Sequence, residues 1–217
     1  MLSAGRAAGQ ALASGVLYLH GFNSGSASPK ARLMQAACQQ LEDGPWPCEA
    51  PQLPHRPQAA YRLAEQWLGR LGHRPLVVGS SMGGFLATCL AERHDLEAVV
   101  INPAVRPARL VEEWMGEGFV NEYTGERFTV DAVHRDELAV LTPETITPAR
   151  YLLLLGTRDE TLDCHDAFAA YAGCRTILHP GGDHGFSALA DYLPAILAHG
   201  GRYLPPGRLT PIGLDGT

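Results

Sequence analysis

The chain has 217 residues, 46% of them hydrophobic, and a formal net charge of −6. That is enough apolar material for a sizeable core, and the charges form neither the basic stripe of a nucleic-acid binder nor the like-charged run of a solvated tail. Five cysteines, at 38, 48, 89, 164 and 174, form no CxxC pair, a usage that fits free thiols in a reducing compartment and predicts a cytoplasmic protein.

The first fifteen residues carry Arg6 but no acid, and lack the continuous apolar core of a signal peptide. A frayed start is expected there. Residues 16–20, VLYLH, read as a buried strand. The segment SPKARLMQAACQQLE follows, with Ser28 as N-cap, Pro29 as first helical residue, and Leu33, Ala36, Ala37 and Leu41 at helical spacing. A weak second strand is predicted at 48–53, and a helix over 58–71 on the period of Ala60, Leu63, Ala64, Trp67 and Leu68. PLVVG at 75–79 is a strong strand and GFLATCLAERH a strong helix. The stretch 75–91 is nearly uncharged but broken by glycines and serines, so it is not read as a membrane span. LEAVVINP at 96–103 is a further strand, stopped by Pro103.

The rhythm breaks over 104–149, where ARLVEEWMGEGF suggests a short amphipathic helix and NEYTGERFTV an irregular turn or small hairpin. It resumes with the strand YLLLLG at 151–156, a helix at 163–172, the strand RTILHP at 175–180 and a closing helix in SALADYLPAILAHG despite Pro194. A loose tail is expected over 203–217. Apolar strands without period-two alternation, separated by helices, belong to a parallel sheet covered on both faces.

One serine stands out. VVGSSMGGF places Ser81 between Gly79 and Gly83, at the passage from strand to helix. The pattern G-x-S-x-G is weak by itself, and its position carries the weight. A serine on such a sharp turn is lifted to the carboxyl end of the sheet, above a helix N-terminus whose free N–H groups favour developing negative charge. A serine hydroxyl needs a base, and the base an orienting acid. In the fold that uses this turn the chain order is serine, acid, histidine. After YLLLLG comes TRDET, offering Asp159, with Asp163 as the rival four residues on. After RTILHP comes GGDHGF, offering His184. Two N–H donors are needed for the oxyanion, and Met82 and Phe22, in HGFNSG, are the candidates. His20, beside them, is read as structural. No cysteine or histidine spacing matches a zinc site, and neither a dinucleotide fingerprint nor a P-loop lysine occurs, so no metal or cofactor is expected.

In order, LYLHGFNS, SPKA, GSSMGGFLAT, INPAVRP, YTGE, GTRDETLD and GGDHGF make the chain from about residue 16 to about 197 resemble the small bacterial YqiA-like esterases of the α/β-hydrolase superfamily. The resemblance implies an α/β-hydrolase fold: a mostly parallel sheet of about six strands, helices on both faces and a small cap. It implies one hydrolase domain over 1–217 with 104–149 as a cap insertion. It also implies no cofactor, nucleophile Ser81, acid Asp159 and base His184. Trp114, Met115, Phe119 and Tyr123 are candidates for an acyl pocket under that cap. Thr157-Arg158 before the acid departs from the family pattern, as does the extended tail.

The expected activity is hydrolysis of small to medium acyl esters through an acyl-enzyme. Thioester or C–C bond hydrolysis on the same residues is the alternative, and a non-catalytic binding module of the same fold the more distant one.

Overall fold

The computed structural model describes residues 12–205; most of the expected frayed start and of the expected tail lies outside them, while Ala13, within the expected frayed start, is buried and bonds through its N–H to Gly200 O. In chain order the elements are β1 (Val16–Leu19), α1 (Pro29–Gln39), β2 (Cys48–Glu49), α2 (Pro57–Arg70), β3 (Leu76–Ser80), α3 (Met82–His94) and β4 (Ala98–Ile101). Then follow α4 (Pro107–Glu113), β5 (Gly118–Val120), β6 (Arg127–Thr129), α5 (Ala132–Leu141), β7 (Tyr151–Gly156), α6 (Cys164–Ala170), β8 (Arg175–His179) and α7 (Leu189–His199).

Six strands form one sheet in the order β2-β1-β3-β4-β7-β8, and every pairing is parallel. Alternate strand residues point to opposite faces, and both faces are apolar. Leu17, Leu19, Val77, Val100, Leu153 and Leu155 pack with Ala64 of α2, Phe85 and Leu90 of α3 and Ala167 of α6. Val16, Tyr18, Val78, Ile101, Leu152 and Leu154 pack with Met34 of α1 and Leu193 and Ile196 of α7. This is why the strands read as unbroken apolar runs. Each buried leucine or isoleucine contributes about 1.5–3 kcal/mol relative to exposure. Helix α3 is buried from Gly83 through Ala91, so the segment that carries Ser81 into it is anchored at the centre of the molecule. No helix among the described residues is long and apolar enough to cross a membrane.

Local chemistry accounts for most boundaries. Ser28 Oγ accepts from Ala31 N–H at 3.4 Å with Pro29 next in the chain. The predicted strand at 48–53 shrinks to two residues, since Pro51 and Pro54 cannot donate to a ladder. The helix expected from Ala108 stops at Glu113, where Trp114 caps it and Gly116 takes φ +84°. The hairpin expected in 121–130 begins earlier, at residue 118, with β5 and β6 paired from Gly118↔Thr129 to Val120↔Arg127. Helix α5 was not foreseen. Its capping box closes through Asp131 and His134, where such boxes usually carry Glu or Gln, and Val133 and Val140 on its outer side are exposed.

Candidate active site

β3 ends at Ser80 and α3 begins at Met82, leaving Ser81 to make the turn. Its backbone sits at φ +56°, ψ −121°, a strained conformation for a residue with a side chain. The glycines beside it are sterically required: a Cβ on Gly79 would overlap the carbonyl of Gly83, and one on Gly83 would overlap that of Leu19. Ser80, one residue earlier, is buried with its hydroxyl unpartnered.

The turn aims Ser81 Oγ at the loop after β8. His184 Nε2 lies 3.1 Å from it. On the other side of the ring, Nδ1 lies 2.8 and 2.9 Å from the two carboxylate oxygens of Asp159, in the turn after β7. Residues 103 and 25 positions apart in sequence thus form one continuous chain of hydrogen bonds. A carboxylate against Nδ1 holds the proton there, leaving Nε2 to accept from the serine hydroxyl. Asp159 also accepts from the N–H groups of Thr161 and Leu162, at 2.8 Å each. Burial alone would raise its pKa. The hydrogen bonds from His184, Leu162 and Thr161 outweigh burial and hold the carboxyl below its ordinary value. Asp163 is occupied elsewhere: it caps α6, accepting from His165 N–H at 2.9 Å and facing His165 Nδ1 at 2.8 Å. Asp163, Cys164 and His165 bring their polar atoms together at that exposed cap, and the capping bonds account for the arrangement.

The loop after β1 approaches from above. A Cβ on Gly21 would stand 3.2 Å from Ser81 Cβ. The N–H of Phe22 and that of Met82, the first in α3, have no acceptor among the described residues. His20 shapes this loop. It is buried, donates from Nδ1 to Gly21 O at 2.9 Å and accepts at Nε2 from Leu53 N–H at 3.0 Å. Burial lowers its pKa, against the opposing pull of the Gly21 carbonyl. With both nitrogens bound to main chain, it is a scaffold for the loop. Asn121 Nδ2 donates to Ser24 O at 2.9 Å and Asn23 Nδ2 to Val120 O at 3.2 Å, so the loop is also stitched to the β5–β6 hairpin.

Beside Met82 lies a cavity of about 40 Å³, lined mainly by Phe22, Leu53, Leu86, Val111, Phe128 and Leu138. Phe22 is the junction between this wall and the segment 107–141. Its ring centroid lies 5.1 Å from Trp114, 5.0 Å from Phe119 and 5.7 Å from Phe128. Trp114 and Phe119 thus stand behind Phe22, outside the cavity wall, whereas Met115 and Tyr123 are exposed. Phe128, His55 and His134 also line the cavity, and sequence reasoning had not singled them out. His55 and His134 share a hydrogen bond of 2.9 Å, and Asp131 holds the far side of His134 at 2.7 Å. Phe128 stacks on His55 at 4.3 Å. Nothing in the spacing of residues 55, 128 and 134 signals this meeting, which depends on how α5 lies against the start of α2.

Known structures of similar shape are α/β-hydrolases. Mouse alpha/beta hydrolase domain-containing protein 10 matches with a TM-score of 0.64 at 16% identity, over 85% of this chain and 87% of its own. The esterase domain of a Rhodothermus marinus protein matches at 0.62 and 15% identity over 89% of each chain. Est1E from Butyrivibrio proteoclasticus matches at 0.61 and 16% identity, over 84% of this chain and 85% of its own. At such identities the likeness establishes the fold. The model of the Uncharacterised protein family (UPF0227) matches residues 15–200, and the chain belongs to that family, the YqiA-like group of α/β-hydrolase proteins that its motifs resemble.

Proposed function

We propose that the protein is a serine carboxylesterase. The observation that carries this reading is the unbroken chain Asp159–His184–Ser81, with contacts of 2.8 and 3.1 Å, ending on a serine held in a strained turn. As substrate binds, His184 Nε2 takes the hydroxyl proton while Ser81 Oγ attacks the ester carbonyl. Asp159 stabilises the imidazolium that forms. The N–H groups of Phe22 and Met82 receive the oxyanion, and removing one such donor typically costs about 10²–10³-fold in kcat. His184 then returns the proton to the departing alcohol, and the acyl group remains on Ser81. Water, activated by the same imidazole, releases the acid and restores the enzyme.

The substrate side of the reading rests on the cavity. Its wall is apolar, which suits an acyl chain, but about 40 Å³ holds only a few waters. A medium acyl chain therefore needs the segment 107–141 to shift, and we assign residues 104–149 the role of a cap inserted in a single hydrolase domain. The neighbours whose names include esterase favour oxygen esters over thioesters. Free cysteines at all five positions fit a cytoplasmic protein.

A fluorophosphonate probe tests the assignment. Wild type and Ser80→Ala are expected to label, and Ser81→Ala not. Labelling that persists in Ser81→Ala contradicts it. A chain-length series of p-nitrophenyl esters beside the matching acyl-CoA thioesters tests the bond preference. Faster turnover of the thioesters overturns the ester assignment and leaves the three residues standing.

A further inference from the structure

β4 carries none of the residues assigned above, yet in the sheet order it stands between β3, which delivers Ser81, and β7, which delivers Asp159. The residue just past its end is Asn102, and we propose that Asn102 is a positioning residue that sets His184 against Ser81 and Asp159. The proposal rests on the hydrolase reading above and adds a residue that this reading does not include.

Asn102 is buried, and its backbone lies at φ +40°. Asparagine tolerates the left-handed region better than most residues, but it is still uncommon there, and Pro103 restricts the position further. Such strain persists only where surrounding contacts over-determine it. Here three hydrogen bonds supply those contacts. The side-chain amide donates to two consecutive carbonyls of the histidine loop, Asp183 O at 2.9 Å and His184 O at 3.1 Å. Its oxygen accepts from Gly156 N–H, at the end of β7, at 2.8 Å. The orientation of the amide is fixed by its partners: turned over, it would face an N–H with an NH₂ and two carbonyls with an oxygen.

The main chain on either side of Asn102 reaches the other partner. Ser81 N–H donates to Ile101 O at 3.0 Å, and Ala104 N–H donates to Ser81 O at 3.1 Å. Four residues, 101–104, therefore grip the peptide of Ser81 with their backbone and the peptide of His184 with one side chain. The same side chain touches the strand end three residues before Asp159. The opposite peptide atom of His184, its N–H, donates to Glu160 at 3.0 Å. Neither hold is part of a strand ladder, so the direction of the His184 side chain is set by side-chain hydrogen bonds. Serine is as well placed without them, but the imidazole is not. A buried amide with three satisfied bonds at this junction exceeds what packing alone requires. An apolar residue of similar volume would fill the space, leave His184 O and Gly156 N–H unpaired, and leave Asp183 O with only its bond from Phe186 N–H at 3.1 Å.

The test compares wild type with Asn102→Ala and Asn102→Asp, the second keeping the volume and the bond from Gly156 while removing both donations. Leu193→Ala, in the core under α7, serves as a variant destabilised away from the site. Fluorophosphonate labelling and ester turnover are measured at equal intervals below each variant's unfolding temperature. The Nδ1 proton of His184, which a carboxylate shifts downfield of the amides, is followed by proton NMR. Both Asn102 variants are expected to lose about 30–100-fold in labelling rate and kcat, with KM within about 3-fold, and the downfield resonance is expected to broaden away. Leu193→Ala is expected to keep the wild-type rate and resonance. Asn102 variants that label within about 3-fold of wild type, or that merely match Leu193→Ala, overturn the proposal. A wild type that neither labels nor hydrolyses esters removes the hydrolase reading instead, while an intact resonance in the variants would still refute the hold on His184.

Discussion

Two regions meet at Ser81, and they are held together by different means. On one side the serine, carboxylate and histidine stand just past the ends of strands β3, β7 and β8, above the parallel ladders and tied down by hydrogen bonds between side chains and main chain. On the other side, α4, the β5–β6 hairpin and α5 reach the body mainly through side chains. These are the stacked rings around Phe22, the His55–His134 bond, and Arg56 with Asp131 and Glu137. Backbone ladders place atoms within tenths of an ångström, as proton transfer from a hydroxyl needs. Stacked rings and partly exposed ion pairs bind weakly enough to be exchanged, each aromatic pair contributing about 0.5–1.5 kcal/mol and each surface pair about 0–1. Reactivity is thus assigned to the rigid region and selectivity to the adjustable one.

Substitutions separate the two regions most sharply at the sheet end. Ser81→Ala and His184→Ala are each expected to lower kcat by on the order of 10⁴–10⁶-fold, measured on a p-nitrophenyl ester. Asp159→Asn should follow, at about 10³–10⁴-fold, because an amide cannot hold the imidazole in the required tautomer. Asp163→Asn should retain most activity, since its carboxylate caps α6; activity lost there and kept in Asp159→Asn would reverse the assignment.

In the adjustable region the effects should be smaller and of another kind. Trp114→Ala and Phe119→Ala remove rings stacked on Phe22. Each is expected to change the preferred acyl length and to move KM by about 3–10-fold, in line with one lost aromatic contact. A loss of kcat as large as that of Asp159→Asn would show that the ring cluster holds the oxyanion donors as rigidly as the sheet holds the serine.

The pH dependence of stability should also divide. Burial lowers the pKa of His20 and, most strongly among several effects, that of His55. A histidine depressed in the folded state binds its proton less well than in the unfolded chain, so its contribution is complete above about 6.5 and is lost as pH falls below that value. Asp159 is depressed too, and its contribution is lost only as pH falls below the ordinary carboxyl value of 3.8. Unfolding temperatures should therefore decline in two stages, and His55→Gln should reduce the first stage alone. The smallest effect concerns the thiols. Burial pushes Cys89 up to about 12 and Cys174 up to about 11, so both should resist alkylation at pH 8 in the folded protein and react on unfolding.

How much of this could be read in advance follows the same division. The strands were legible because both sheet faces are buried, so VLYL, LVVG and YLLLLG announce themselves. Ser81 was legible because Gly79 and Gly83 are demanded by overlap with backbone. His184 and Asp159 followed from standing just past strands. Asn102 was not, because an asparagine before a proline reads as an ordinary strand stop. Its three partners lie at the end of β7 and in the loop after β8. Helix α5 was hidden by a capping box closed with histidine, and the cavity wall of Phe128, His55 and His134 by its dependence on packing between elements far apart in sequence. Met115 and Tyr123 were expected at the pocket because aromatic and long apolar side chains suit one. They lie outside, where the chain turns at Gly116 and around Gly125.

The most direct measurement is to mix the protein with p-nitrophenyl acetate, quench within the first turnover and locate the adduct by peptide mass spectrometry. Any acetyl adduct that accumulates is expected on Ser81, with nitrophenol released in equal amount, and both are expected to vanish in Ser81→Ala and to form too slowly to be seen in His184→Ala. Turnover undiminished in Ser81→Ala, or an acetyl group that maps to another residue and turns over at the catalytic rate, would contradict Ser81 as the nucleophile.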